Sequence, residues 1–135
     1  MPATDLKLRT KKFALAIIAF SEALPKDETS RILGRQLLRS GTSVGANYRS
    51  AKRAKSNADF IAKMGIVEEE ADESGYWLEL LTESGKVSAS KTSALLQESG
   101  ELVAIAVASI NTARRNGTRS TERGARKGPD REPST

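Results

Sequence analysis

The chain has 135 residues, with 22 Lys and Arg against 17 Asp and Glu, and it contains neither cysteine nor histidine. This length suits one domain with a hydrophobic core. The missing residue types exclude disulfides, thiolate metal sites and histidine-based acid–base catalysis. The first residues lack the apolar core of a signal peptide, and the longest apolar stretch, Leu102 to Ile110, is too short to span a bilayer. We therefore expect a cytoplasmic protein without membrane contact.

The net charge of +5 is unevenly distributed along the chain. Residues 114–135 carry seven basic and three acidic side chains, a net charge of +4, whereas the rest carries 15 basic and 14 acidic side chains, a net charge of +1. From Asn116 onward the one aliphatic side chain is Ala125. Such a segment cannot bury enough apolar surface to offset the entropy of ordering it. We predict a folded domain over residues 1–115 and a disordered basic tail over residues 116–135.

Two amphipathic helices are predicted in the first part of the chain, because apolar side chains recur at three- and four-residue steps. The first covers about residues 5–23 and ends before Pro25, which cannot continue a helix. The second begins near Asp27 or Thr29, either of which suits an N-cap, and runs to about residue 55.

Two further helices follow. The third opens at Ser56 or Asn57, and its apolar positions alternate by four and three residues, as in a heptad. A loop over residues 85–90 precedes the fourth helix, which covers residues 92–115. Strand-forming runs are missing and the connections are short, so we predict an all-α, antiparallel up-down-up-down four-helix bundle.

Residues 36–49 of the second helix contain Gly41 and Gly45, although the apolar residues around them keep helical spacing. A glycine inside a helix costs roughly 1 kcal/mol relative to alanine. We therefore predict that another helix packs closely against these glycines. A neighbouring strip of small polar residues favours a helix–helix or subunit contact, the alternative being a solvated polar face. This strip consists of Gln36, Ser40, Ser43, Asn47 and Ser50.

Basic side chains form a stripe along the second helix, within roughly 80° of arc at 100° per residue. The stripe consists of Arg31, Arg35, Arg39, Arg49 and Arg53, flanked by Lys52. Arginine makes planar, bidentate contacts with phosphate, so we predict that these six residues bind nucleic acid. The alternative is that they are solvated or pair with acids on a neighbouring helix.

The third helix is acidic, with five carboxylates before Tyr76 and Trp77. These acids are Glu68, Glu69, Glu70, Asp72 and Glu73. Without histidine the Glu-x-x-His pattern of di-metal bundles is absent, and pairing with the arginines of the second helix is favoured over a carboxylate-only Mg²⁺ site. The glycine pair lacks the lysine and preceding strand of a phosphate loop. We predict no enzyme, no metal and no cofactor.

Three ordered blocks of the sequence resemble a known family. They are residues 36–49 (QLLRSGTSVGANYR), 59–64 (DFIAKM) and 70–81 (EADESGYWLELL), and residues 101–105 and 109–114 match as well. They resemble the four-helix bundle proteins encoded in 23S ribosomal RNA intervening sequences, over about residues 12–115. The chain departs from this pattern at Gly75, where a helix former is usual, and at Glu68-Glu69, where a lysine is common.

The resemblance implies a ring-like homopentamer and a relationship to the accessory protein of diversity-generating retroelements, a basic pentameric bundle that partners a reverse transcriptase and RNA. It implies no catalytic activity. We therefore expect a non-enzymatic RNA-binding or ribonucleoprotein accessory module. The alternative is a structural or protein-interaction module without a nucleic-acid role.

Overall fold

The structure is a computed structural model that describes the backbone of residues 5–126 and the side chains of residues 5–117. Within these residues it contains four helices and no strand, which confirms the predicted all-α class. The helices are α1 (Leu6–Glu22), α2 (Glu28–Lys52), α3 (Asn57–Glu83) and α4 (Ala89–Arg126).

The first three helices each begin at a side chain that accepts a backbone N–H from three residues further on. The capping residues are Asp5, at 3.1 Å, Asp27, at 2.9 Å, and Ser56, at 3.0 Å. Such caps satisfy N–H groups that have no partner inside the helix. Of the alternatives in the sequence, Asp27 and Ser56 are therefore the N-caps, and α2 ends three residues before the expected residue 55.

The fourth helix is longer than expected, because α4 continues past Arg115 to Arg126. Once a helix is formed, each added residue gains a hydrogen bond without a new nucleation cost, and this segment contains the helix formers Arg, Glu and Ala. The predicted onset of disorder at residue 116 thus differs from the structure. Residues 127–135 lie outside the described part of the chain, and disorder there stays a prediction.

The glycines of α2 lie against α1, as predicted. A Cβ atom on Gly41 would stand 2.9 Å from both Cγ atoms of Ile17, closer than real contacts allow. The positions that meet across this seam run in opposite directions along the two helices. They are Leu24 with Gly34, Ile17 with Gly41, and Thr10 with Gly45. The missing side chains let the two backbones approach each other closely.

The other helix pairs also share polar contacts, and these contacts show antiparallel packing as well. Between α2 and α3 they are Asp27 with Lys86 and Ser40 with Ser74; between α3 and α4 they are Thr82 with Thr92 and Asn57 with the Ala113 carbonyl. The chain therefore reverses direction at each connection. Arg9 closes the bundle from α1 to α4, with Nε 2.7 Å from Glu98 and Nη2 2.6 Å from Glu101.

The core is formed where the apolar faces of the four helices meet. Its fully buried side chains include Ile17, Leu37, Val44, Met64, Leu78 and Leu81. Over Ala89–Gly117, α4 also has the length and mean hydropathy, 1.3, of a membrane-crossing helix. A core helix meets the same criteria, and α4 buries Leu102, Ala106 and Ile110 inside the bundle.

Candidate nucleic-acid interface

All six basic residues predicted as a nucleic-acid site are exposed on α2 or, for Arg53, at its C-cap, but the fold separates Arg39 from the others. Its guanidinium donates hydrogen bonds to Glu70 of α3, with Nη1 at 3.2 Å, and to Glu73. The bonds to Glu70, and next those to Glu73, raise the pKa of Arg39. Arg39 thus makes the contact expected under the alternative interpretation, pairing with acids on a neighbouring helix of the same chain.

The other five residues form no ion pair within residues 5–117. They fall into two groups on either side of Arg39. Arg31 and Arg35 lie near the start of α2, and Arg49, Lys52 and Arg53 lie at its end. At a rise of 1.5 Å per residue the centres of the two groups are about 27 Å apart. The stripe is therefore two separate cationic surfaces.

The group at the end of α2 is enlarged by residues from other segments. Lys55 follows in the turn before α3, and the Asn57 side chain donates to the Ala113 carbonyl at 2.7 Å. This bond brings Arg114 and Arg115 of α4 to the same end of the bundle. We call this surface the basic end, and it consists of Arg49, Lys52, Arg53, Lys55, Arg114 and Arg115.

The acids near the basic end are already engaged. Asp59 accepts the Lys55 backbone N–H at 3.1 Å and lies 3.2 Å from Lys63 Nζ. The backbone hydrogen bond, followed by the bond from Lys63, lowers the pKa of Asp59. Asp5 caps α1. Within residues 5–117 Arg49, Lys52 and Arg53 form no ion pair with these carboxylates, so the surface attracts anions.

A shallow groove of about 500 Å³ adjoins the basic end, between α3 and α4. Its walls include the half-buried ring of Phe60 and the polar side chains of Asn57, Ser109, Thr112 and Asn116. An aromatic face beside hydrogen-bonding groups and cations suits an unstacked base.

Sequence reasoning missed Lys55, Arg114 and Arg115 as members of this surface. The signal was the predicted topology, because in an up-down-up-down bundle the second and fourth helices end on the same side.

The small polar strip of α2 has a structural role. Ser40 of this strip is buried and accepts a hydrogen bond from Ser74 at 3.0 Å, whereas Ser43 and Asn47 bond to backbone carbonyls of their own helix.

The acids of α3 do not form a metal site, since within residues 5–117 no group of three or more acidic side chains is placed to hold a metal ion. Glu70 and Glu73 face Arg39, and Glu73 also accepts from the Trp77 indole N–H at 3.0 Å. Trp77 packs against the core.

The fold and this surface define a small antiparallel four-helix bundle with a cationic end. The model of the 23S rRNA-intervening sequence protein family matches residues 5–108, and the chain belongs to this family. A similar crystal structure is that of a protein with unknown function from the S23 ribosomal protein family of Bacteroides thetaiotaomicron VPI-5482. The two chains are 36% identical, with a TM-score of 0.72 over 77% of this chain and 96% of the other.

None of the curated proteins matches this chain. Neither the family nor the structural relative is described by an enzymatic activity. The family match ends at residue 108, so Arg114 and Arg115 lie beyond it.

Proposed function

We propose that this protein is a non-enzymatic, self-associating RNA-binding or ribonucleoprotein accessory module of the cytoplasm, and that the basic end contacts the phosphates of RNA. The observation that carries the proposal is the convergence of cations from α2, the following turn and α4, beside carboxylates that are occupied elsewhere. The basic sequence that follows Arg115 is attached to this same end.

Arginine suits this task because its planar guanidinium forms two parallel hydrogen bonds with a phosphate. Phosphate contacts fix the position of a nucleic acid without reading its sequence. The groove beside Phe60 would add contacts to an unpaired base. Together these features favour single-stranded RNA or the loop of a hairpin over a continuous duplex.

The other residues of the predicted nucleic-acid site would contact RNA only under further conditions. Arg39 would have to leave Glu70 and Glu73 before it could bind a phosphate. Arg31 and Arg35 would meet the same RNA only if the strand followed α2 for about 27 Å. We therefore place the first contact at the basic end and treat the rest of the stripe as an extension of it.

The homopentamer and the reverse transcriptase partner implied by the resemblance also belong to the proposal. Several copies in one ring would present several basic ends to one RNA. Linked sites bind more tightly than single ones, because later contacts form within a complex that already exists. A module of this kind would act by binding RNA at several sites and positioning it, rather than by catalysing a reaction.

A salt-titrated binding assay tests the proposal, with fluorescence anisotropy of a labelled single-stranded RNA and of a hairpin. For Arg49→Glu with Arg53→Glu we expect about tenfold weaker binding at low salt and a salt-dependence slope that is less steep by about two. The control is Lys91→Glu, an exposed lysine at the opposite end of the bundle, which should leave the affinity within about twofold. Undetectable binding by the unaltered protein at low salt would refute the proposal, and so would equal losses in both variants.

A further inference from the structure

A groove of about 820 Å³ runs between the second half of α1 and the first half of α2. Ile18, Leu24 and Leu38 supply its apolar lining, and Arg31 and Arg35 line it as well. The apolar part is accessible, since Leu38 is 37% exposed. Apolar side chains beside unpaired arginines are typical of protein-binding surfaces, where arginine is enriched and apolar anchors are buried.

The outer face of α3 has the complementary composition. Four acids surround Tyr76 within roughly 80° of arc. They are Glu69, Asp72, Glu79 and Glu83, and none of them forms an ion pair within residues 5–117. We call this surface the acidic strip.

Tyr76 is 52% exposed, and its ring meets Trp77 edge-on with 5.1 Å between centroids. Trp77 is itself fixed by its hydrogen bond to Glu73. Tyr76 is therefore a preoriented aromatic side chain, and such residues bind at low cost in conformational entropy.

The groove and the acidic strip lie at the same height along the bundle. The contacts of Ser40 with Ser74 and of Asp27 with Lys86 set the register of α2 against α3. In this register Tyr76 stands level with Leu38, and Glu79 level with Arg35. The two surfaces lie on different faces of one molecule, because the Arg39 contacts close the α2–α3 seam between them. Between two copies standing side by side they can meet directly.

We propose that the acidic strip of one copy docks into the α1–α2 groove of the next, with Tyr76 in the apolar part and Glu83 and Glu79 against Arg31 and Arg35. The inference rests on the self-association included in the proposed function and specifies its surfaces. Each copy uses one groove and one strip, so the contact is heterologous, and it repeats from copy to copy until a ring closes. The arginine stripe is then divided between two tasks, assembly near the start of α2 and RNA at its end.

Charge reversal with rescue tests this contact, with the mass measured by light scattering after size exclusion. We expect an assembly for the unaltered protein and a species near the 14.5 kDa chain mass for Arg31→Glu with Arg35→Glu. The pair Glu79→Arg with Glu83→Arg should dissociate in the same way. A chain carrying all four changes should assemble again, because both charges are inverted together. Such rescue would not follow from a folding defect, and circular dichroism checks the helix content of each variant.

The controls separate this inference from the RNA proposal. Arg49→Glu with Arg53→Glu should assemble like the unaltered protein, whatever it does to RNA binding. Reversal variants that keep the full mass, or a fourfold variant that stays folded but monomeric, would overturn the docking proposal. Dissociation by Ala104→Arg alone, on the exposed face of α4, would assign the interface to α4 instead. A monomeric unaltered protein would refute self-association itself and leave the RNA assay as an independent result.

Discussion

The two seams that α2 forms with its neighbours are built differently, although small residues line both. Toward α1, glycine positions let Ile17 approach the backbone of α2, and no hydrogen bond joins the two helices. Toward α3, Ser40 meets Ser74 inside the seam, and Arg39 bonds two acids at its edge. The first seam depends on shape and the second on polar pairing. Small residues thus provide a close steric fit to α1 and a specific register against α3.

Alanine substitution of Gly41 should destabilise the α1–α2 seam and leave the α2–α3 seam unaffected. Gly41→Ala places a methyl group 2.9 Å from both Cγ atoms of Ile17, a buried, β-branched side chain that cannot rotate away. We expect Gly41→Ala to lower the free energy of unfolding by about 1–2 kcal/mol net, as in overpacked cores.

The matched control is Gly100→Ala, where a Cβ would meet nothing within 4 Å. Helix propensity alone should then raise the free energy of unfolding, by about 0.5–1 kcal/mol. Urea unfolding measures the free energy of unfolding of both variants. Changes of the same sign would contradict the close approach of α1.

Removing the buried hydroxyl pair tests the second seam and should have a smaller effect. Ser74→Ala removes the donor to Ser40, but the Ser40 hydroxyl still lies 3.2 Å from the Leu37 carbonyl, so neither atom is stranded. We expect a loss of about 1 kcal/mol. A double-mutant cycle with Ser40→Ala should give less than the sum of the single losses, because the two hydroxyls share one interaction. Strict additivity would show that the seam does not depend on their pairing.

The sequence predicts local features of the fold, such as the α1–α2 seam, better than features that depend on other helices. The α1–α2 seam is visible in it, because Gly41 and Gly45 interrupt an otherwise regular apolar face, and helical spacing is a local property. The helix starts at Asp27 and Ser56 are equally local, since a cap involves only the next three residues. The end of α4 could not be predicted in this way, because the pattern of apolar side chains stops before the helix does.

The candidate site was predictable only in part. The stripe lies within one helix, so its side chains could be placed on one face from spacing alone. The pairing of Arg39 with Glu70 and Glu73 depends on the rotation of α3 against α2, which spacing leaves open. The approach of Lys55 and Arg115 to the same end depends on the register of α4. Contacts within one element are local, whereas contacts between elements need the packing angle and the register.

Acid titration gives the smallest effect and distinguishes the seams by their pH dependence. At one end of the polar seam Asp27 accepts the Ser30 N–H and hydroxyl, both at 2.9 Å, and lies 3.3 Å from Lys86. The backbone hydrogen bond, then the hydroxyl, then Lys86 lower the pKa of Asp27 below its usual 3.8. The stability that Asp27 contributes is therefore complete above the unfolded-state pKa and is lost as the pH falls through the lower folded-state pKa.

Asp27→Asn keeps an N-capping side chain but removes the charge, so it isolates this contribution. We expect Asp27→Asn to lower the melting temperature at pH 7, and we expect this deficit to shrink as the pH falls through the lowered folded-state pKa of Asp27. The deficit of Gly41→Ala should not change with pH, because the α1–α2 seam contains steric contacts and no titrating pair. Melting curves from pH 2.5 to 7 decide the matter. A deficit for Asp27→Asn that did not change with pH would mean that the cap geometry, and not the charge, stabilises the start of α2.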